Sequence, residues 1–171
     1  MKRTQRGEGV VGRVEYETVF ASLVAGAAMG LLEVIASVAS GESALLPVRS
    51  AASVVLRDHA FGPDAPLILL VGVIVHFSIA VMFGFAYGVF GSQMAWAKRT
   101  RGPLQALLGV AFGTAVWLLN FQLIARFFYP WMFDHSQIGQ WLIHALGFGL
   151  PLGWLLAEQE PPLRIGEKPE R

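Results

Sequence analysis

Residues 67–90 have the sequence LILLVGVIVHFSIAVMFGFAYGVF, which contains no Asp, Glu, Lys or Arg. A helix of this length, at about 1.5 Å per residue, spans the hydrocarbon core of a bilayer, which is roughly 30 Å thick. Surface helices of soluble proteins have a polar face, and this stretch has none. It therefore predicts a transmembrane helix and sets the class of the protein.

Three other runs meet the same length criterion: residues 18–40, 104–127 and 138–157. The composition agrees, because 54% of the residues are hydrophobic, 15% are charged, and the mean hydropathy is +0.54. Lipid offers no hydrogen-bond partner to exposed backbone groups, and the runs are too long for barrel strands. We therefore expect an all-α, membrane-embedded four-helix bundle that forms a single membrane domain of residues 1–171.

The first run also has features of a secretory signal peptide, since basic residues precede it and the tripeptide at 37–39 suits cleavage before Ser40. Its apolar part is longer than the roughly 7 to 15 residues usual in signal peptides. It also contains Glu33. We therefore interpret this run as a retained span.

Lys and Arg are distributed unequally between the two sides of the predicted bundle. Three lie on the side of the first and third connections: Arg49, Arg57 and Arg126. Ten lie in the tails and in the second connection: Lys2, Arg3, Arg6, Arg13, Lys98, Arg99, Arg101, Arg164, Lys168 and Arg171. Because the side richer in Lys and Arg is normally cytoplasmic, we expect both tails, residues 1–15 and 159–171, to be cytoplasmic.

A short amphipathic helix is predicted between spans one and two. Its expected apolar face comprises Val48, Ala51, Ala52, Val55 and Leu56. Its expected polar face comprises Arg49, Ser50, Ser53 and Arg57. Such a helix is suited to lie on the outer surface of the membrane.

Aromatic residues cluster where span three ends and span four begins: Phe127, Phe128, Tyr129, Trp131, Phe133 and Trp141. Aromatic side chains are enriched at the level of the lipid headgroups, so membrane anchoring explains them. A lipid or quinone site at this level is the alternative, because amphipathic pockets suit such ligands.

Each span contains two glycines four residues apart. The pairs are Gly26 and Gly30, Gly84 and Gly88, Gly109 and Gly113, and Gly149 and Gly153. Glycines at this spacing form a flat strip that lets two helix backbones approach closely. All four pairs fall in the expected cytoplasmic half, so we expect tight packing there, within the chain or against a partner protein.

Four polar side chains interrupt the spans: Glu33, His76, Asn120 and His144. Counting residues from the outer ends of the spans puts them at one depth, about 10 to 15 Å below the outer boundary. Ionisable groups are costly in lipid, so these side chains are expected to face one another or a wet cavity. Ideal helical angles place Glu33 and Asn120 on the glycine faces but turn both histidines away from theirs.

Several roles suit this polar layer. Hydrogen bonds among its members would fix the helix register, and a carboxylate with imidazoles would serve a proton or ion path. Ligation of haem b by His76 and His144 is a further alternative, as is a divalent metal bound by Glu33 and the histidines. No cofactor is predicted from these residues alone. His59 and His135 lie in loops and are expected to be solvated.

Composition and motifs exclude several classes of function. The chain has no cysteine, which rules out disulfides, thiolate catalysis and iron–sulfur clusters. A net charge of +1 lacks the basic footprint of a nucleic-acid-binding protein. The sequence contains no phosphate loop, dinucleotide fingerprint, His-Glu-x-x-His motif or nucleophile elbow, so nothing in it indicates an enzyme.

Several short motifs are spread over most of residues 18–157. They are a glycine-rich first span at 25–32, the amphipathic segment 47–56, His76-Phe77-Ser78, Asn120-Phe121, and His144 followed by Gly147, Gly149 and Gly153. In these motifs the chain resembles a loose group of uncharacterised small four-span bacterial inner-membrane proteins. The resemblance implies a multi-pass protein of the bacterial inner (plasma) membrane, and it implies no activity and no catalytic residue.

The leading hypothesis from the sequence is a small accessory subunit that packs against a larger membrane complex or another copy of itself. The glycine interfaces, the short loops and the lack of catalytic motifs favour it. One alternative is a small transporter or proton- or ion-conducting protein with an outward-facing polar pocket. The other is a b-type haem or quinone-binding membrane protein.

Overall fold

The computed structural model describes the backbone of residues 4–93 and 102–159 and the side chains of residues 16–89 and 102–157. The helices in these residues are α1 (Thr4–Ala39), α2 (Leu46–Leu56), α3 (Ala65–Gln93), α4 (Gly102–Phe128) and α5 (137–159). Short 3-10 turns occupy Arg57–Phe61 and Pro130–Asp134. The predicted all-α four-helix bundle, with a short helix between spans one and two, is confirmed.

Four stretches are long and apolar enough to cross a membrane. They are Tyr16–Ala39, Ala65–Val89, Gly102–Phe128 and Gln137–Ala157, with mean hydropathies between 1.2 and 2.6. Large apolar side chains cover the outside of the bundle: Leu31, Leu67 and Leu107, for example, are 62%, 61% and 61% exposed. Such a surface suits lipid rather than water. The chain is therefore a polytopic membrane protein.

The four spans alternate in direction, so the start of the first and the end of the fourth lie at the same end of the bundle, which we call the terminal end. The opposite end, which we call the capped end, carries α2 and residues 129–136. Many of the basic residues behind the predicted orientation lie in the connection 94–101 and the tail 160–171, outside the described residues. The cytoplasmic location of the tails stays a prediction.

α4 and α5 pack backbone against backbone through their glycines. A Cβ atom on Gly109 would overlap the Gly149 carbonyl oxygen, and a Cβ on Gly149 would overlap the Gly109 carbonyl oxygen. Gly113 and Gly153 approach neighbouring backbone carbonyls equally closely. A hydrogen is the largest substituent that fits at these positions, so the glycines set the short distance between the two helices.

α1 and α3 pack through the other two glycine pairs. The side chains facing them are Ala80 for Gly26, His76 for Gly30, Ser22 for Gly84 and Thr18 for Gly88. The fit is tightest at Gly84, where a Cβ would overlap the Ser22 hydroxyl, and looser at Gly88, where 3.5 Å separates it from Thr18. All eight glycines of the four pairs thus face neighbouring spans of the same chain.

Extensive helix contacts follow the order α3, α1, α5, α4. The two helices at the ends of this order, α3 and α4, meet near the terminal end. There the Tyr87 hydroxyl donates to the backbone and side-chain oxygens of Gln105, at 3.4 and 3.3 Å. The Tyr87 ring also packs edge-on against Phe112, with 5.0 Å between centroids. Toward the capped end, residues of α3 and α4 face each other across a cavity.

α2 packs on α3 at the capped end, but its faces differ from the prediction. Ser53, expected on the polar outer face, is fully buried and accepts a hydrogen bond from the Trp131 indole at 3.0 Å. Val55, expected on the apolar face, is 62% exposed. The prediction was wrong at these two positions because the segment after α4 covers the Ser53 side of α2, a contact that the pattern within α2 does not reveal.

Candidate functional site

A cavity of about 560 Å³ lies in the bundle toward the capped end, and all five helices contribute to its lining. Glu33 of α1, His76 of α3, Asn120 of α4 and His144 of α5 all line it. Small-molecule sites typically have volumes of roughly 300 to 1,000 Å³. The structure thus places on one surface the four polar side chains that interrupt the apolar spans.

His76 is held by α1. Its Nε2 lies 2.9 Å from the Gly26 carbonyl oxygen, and because a carbonyl can only accept, Nε2 carries the proton and donates it. Nδ1 of the neutral ring is then a hydrogen-bond acceptor. Gly30 makes room for the imidazole, since a Cβ there would lie 3.4 Å from Nε2. The helix contact therefore fixes the tautomer that His76 presents.

His144 is held by its own helix. Its Nδ1 donates to the Gln140 carbonyl oxygen at 2.8 Å, which leaves Nε2 as the acceptor of the neutral ring. The side chain is 3% exposed, and its ring packs edge-on against Phe121 at 5.3 Å between centroids. No described residue donates to Nε2. A buried imidazole that lines the cavity thus keeps one unpartnered acceptor nitrogen.

Glu33 and Asn120 line the same cavity without a partner. Within residues 16–89 and 102–157, no side chain or backbone group forms a hydrogen bond with either of them, and none forms an ion pair with Glu33. An unpaired ionisable group at membrane depth is costly, and such groups are typically functional. These two side chains are therefore available to a ligand.

Asn120 and His144 both lie on widened helical turns. α4 is π-helical over Leu118–Ala125, and α5 is π-helical over Ile143–Gly149. A π turn advances less per residue than the roughly 100° of an α-helix, so ideal angles misjudge the direction of His144 relative to the glycines after it. Pro151 follows this turn and has no backbone N–H to donate, which favours a local departure from the α-helical pattern.

Apolar side chains close the cavity toward the terminal end. Phe83, Val116 and Phe148 line its inner part and belong to a buried core that continues through Tyr87 and Leu152. The cavity is therefore closed on this side by packed aromatic and aliphatic groups.

The opposite part of the cavity is acidic. Glu42, Asp134 and His135 line it at the capped end, and both carboxylates are exposed. The described residues that line the cavity include no Lys or Arg. Arg49 of α2 instead donates to two backbone carbonyls, at 3.0 and 2.9 Å. The cavity thus carries carboxylates without a balancing cation of its own.

Sequence reasoning missed several lining residues. His135, which was expected to be solvated in a loop, follows the 3-10 turn Pro130–Asp134 and lines the cavity. Loop paths of this kind leave no periodic pattern. Gln140 could have been found, because it lies four residues before His144 and so on the same helical face.

The segment after α4 fastens α2 over the cavity. Arg57 donates to the Phe128 carbonyl oxygen at 2.7 Å, and its guanidinium stacks 4.6 Å from the centroid of the Tyr129 ring. The Tyr129 hydroxyl donates to the Val54 carbonyl oxygen at 3.2 Å. With the Trp131 bond to α2, these contacts explain why aromatic residues cluster here beyond membrane anchoring.

The donor set suits neither a metal ion nor bis-imidazole haem ligation. No group of three His, Asp or Glu side chains in the described residues is close enough to hold a metal ion. His76 directs Nε2, the nitrogen that usually ligates haem, to the Gly26 carbonyl oxygen. Ligation by both histidines would require His76 to leave this contact.

Comparison of the chain with protein-family models, with curated proteins and with solved structures finds no match.

Proposed function

We propose that the protein is a small membrane transporter and that the cavity at the capped end is its substrate-binding site. One observation carries the proposal: Glu33, His76, Asn120 and His144, each from a different span, line one cavity. Polar residues at membrane depth mark substrate or ion pathways when they share a cavity. A cavity open toward one end and packed at the other is also what one state of an alternating-access carrier requires.

The glycine pairs favour a division of the bundle into two halves. One half is α1 with α3, and the other is α4 with α5, each joined by its own glycine pairs. The halves meet along α1 and α5, and through Tyr87 and Gln105 at the terminal end. Tilting one half against the other would close the capped end and open the terminal end, as in carriers built from repeated units.

The accessory-subunit hypothesis drew on the glycine pairs. Since all eight of these glycines have neighbours within the chain, they give no specific support to the binding of a partner protein.

The excess of Lys and Arg in the tails favours a cytoplasmic terminal end, and the cavity would then open outward. The resemblance to bacterial proteins favours the inner (plasma) membrane.

Single-cysteine labelling tests the proposal without knowledge of the substrate, because the chain has no native cysteine. Met29→Cys places a thiol in the cavity, and Ile35→Cys places one on a side chain that is 53% exposed and outside the cavity lining. Both would be treated with membrane-impermeant methanethiosulfonate reagents, in vesicles of each orientation. If the protein is a carrier, Met29→Cys should react with reagent applied from either side of the membrane. Ile35→Cys should react from neither side.

Labelling of Met29→Cys from the capped side alone would contradict transport and would indicate a static pocket instead. Labelling of both variants at equal rates would mean that the cavity offers no distinct aqueous route.

A further inference from the structure

We infer that the cavity binds a protonated amine with a small apolar body, and that the Glu33 carboxylate is its counter-ion. The inference rests on the proposed site and names the class of molecule that this site takes.

The charges that line the cavity favour a cation. Glu33 lines the inner cavity, and Glu42 and Asp134 line its opening, while the lining residues of the described chain include no Lys or Arg. Glu33 has no ion-pair partner in the described residues. An apolar site keeps a carboxylate charged only beside a cation, and no described residue that lines the cavity supplies one, so a cationic ligand would stabilise the charged form of Glu33. The charge of the site therefore selects a cation and rejects an anion.

The hydrogen-bonding groups of the two histidines favour the same ligand, independently of the carboxylates. Both imidazole N–H groups are used on backbone carbonyls, His76 on Gly26 and His144 on Gln140. The histidines therefore present acceptor nitrogens, and that of the buried His144 has no partner. An ammonium group carries three donors and no acceptor, which complements this set. A quinone needs donors for its carbonyl oxygens; the imidazoles offer none, and the Asn120 amide would have to supply them.

The apolar walls of the cavity also fit an amine with an apolar body. Phe83, Phe121 and Phe148 line the cavity together with aliphatic side chains. Aromatic faces attract an ammonium group and also accommodate an apolar body. A bare metal ion would leave these walls unused, and the acidic and histidine side chains of the described residues are too dispersed to ligate one.

Calorimetry on the full chain in lipid nanodiscs at neutral pH tests the inference with three probes of similar size. They are phenethylamine, which is protonated at this pH, 3-phenylpropionate and neutral 3-phenylpropanol. We expect the amine to bind about 10- to 100-fold more tightly than the other two, as a charge-assisted hydrogen bond predicts. Glu33→Gln should remove this preference. Glu17→Gln, the same change near the terminal end of α1 and outside the cavity lining, should keep it.

A second measurement uses a chain that retains Glu33, so it does not depend on whether the Glu33→Gln variant folds. In Met29→Cys, a trimethylammonium methanethiosulfonate should react faster than a sulfonate one, after each rate is divided by that with free cysteine. Equal or reversed normalised rates for the two reagents would overturn the inference. In the calorimetry, binding of the anion or the alcohol as tight as that of the amine would also overturn it, as would an amine preference that survives Glu33→Gln.

The two proposals fail separately. Two-sided labelling of Met29→Cys without amine binding would leave transport standing and refute the ligand class. Labelling from one side with amine binding that depends on Glu33 would refute transport and leave an amine-binding membrane protein.

Discussion

His144 donates from Nδ1 to the Gln140 carbonyl oxygen at 2.8 Å, and this bond decides what the ring offers to the cavity. Because Nδ1 carries the proton, the lone pair of the neutral imidazole is on Nε2. Phe121 packs against the ring and restrains its rotation. A nearly buried histidine is thus held with an acceptor available to a ligand.

His144→Asn separates the structural from the binding role of this side chain. The asparagine amide can still donate to the Gln140 carbonyl, as Nδ1 does, but nothing replaces Nε2. We expect thermal stability close to that of the unmodified chain and phenethylamine binding weakened about 10- to 100-fold, the value of one hydrogen bond with a charged donor. His59→Asn, at an exposed position away from the cavity, is the control. Unchanged affinity in His144→Asn would show that Nε2 does not contact the ligand.

Gly109→Ala tests the backbone contact between α4 and α5. The added methyl would overlap the Gly149 carbonyl oxygen, so the helices must separate, and we expect a loss of about 1 to 3 kcal/mol in the free energy of unfolding. Gly88→Ala is the matched control, since its methyl meets Thr18 at an ordinary 3.5 Å and alanine favours the helix. Unfolding in mixed detergent micelles measures both. Equal effects of the two substitutions would refute the difference in packing between Gly109 and Gly88.

Trp131→Phe tests the attachment of α2 over the cavity. It removes the indole N–H that bonds the Ser53 hydroxyl, and it keeps an aromatic ring. We expect faster amide hydrogen exchange in residues 46–56, because a bond of about 0.5 to 1.5 kcal/mol no longer holds the helix. Trp141→Phe removes a similar bond, to Thr114 at 3.1 Å, and should leave exchange in α2 unchanged. If both variants gave the exchange of the unmodified chain, the segment after α4 would not secure α2.

Tyr87→Phe tests the closure of the terminal end. It removes the hydroxyl that bonds Gln105 and keeps the ring that packs on Phe112. If the two halves tilt during transport, this change favours the state open at the terminal end. Labelling of Met29→Cys from that side should then accelerate about 2- to 12-fold. Tyr16→Phe, at a side chain that is 71% exposed, is the control. A rate unaffected by Tyr87→Phe would exclude this contact as part of the closure.

The number and type of the helices could be predicted from the sequence because lipid imposes a strong constraint. A run such as 67–90 must be helical to satisfy its own backbone, and its length fixes the span within a few residues. The glycine spacing likewise indicated close helix contacts. Glu33 and Asn120 could be identified as candidate site residues because they are polar side chains among apolar neighbours.

The detailed site could not be predicted, for two physical reasons. The π turns around Asn120 and His144 change the direction of side chains, and ideal helical angles do not include them. The position of α2 over the cavity depends on contacts between distant segments, such as Trp131 with Ser53, which leave no periodic signal in the sequence. The same contacts bury Ser53, which was expected on the polar face of α2.

A bound amine would supply the partner that Glu33 lacks among the described residues. Carbodiimides modify carboxyl groups in apolar surroundings, and mass spectrometry of the unmodified chain can report the extent of reaction at Glu33. We predict that dicyclohexylcarbodiimide modifies Glu33, that phenethylamine protects it with saturable dependence on concentration, and that 3-phenylpropionate does not. Modification of Glu33 to the same extent with and without the amine would contradict the account.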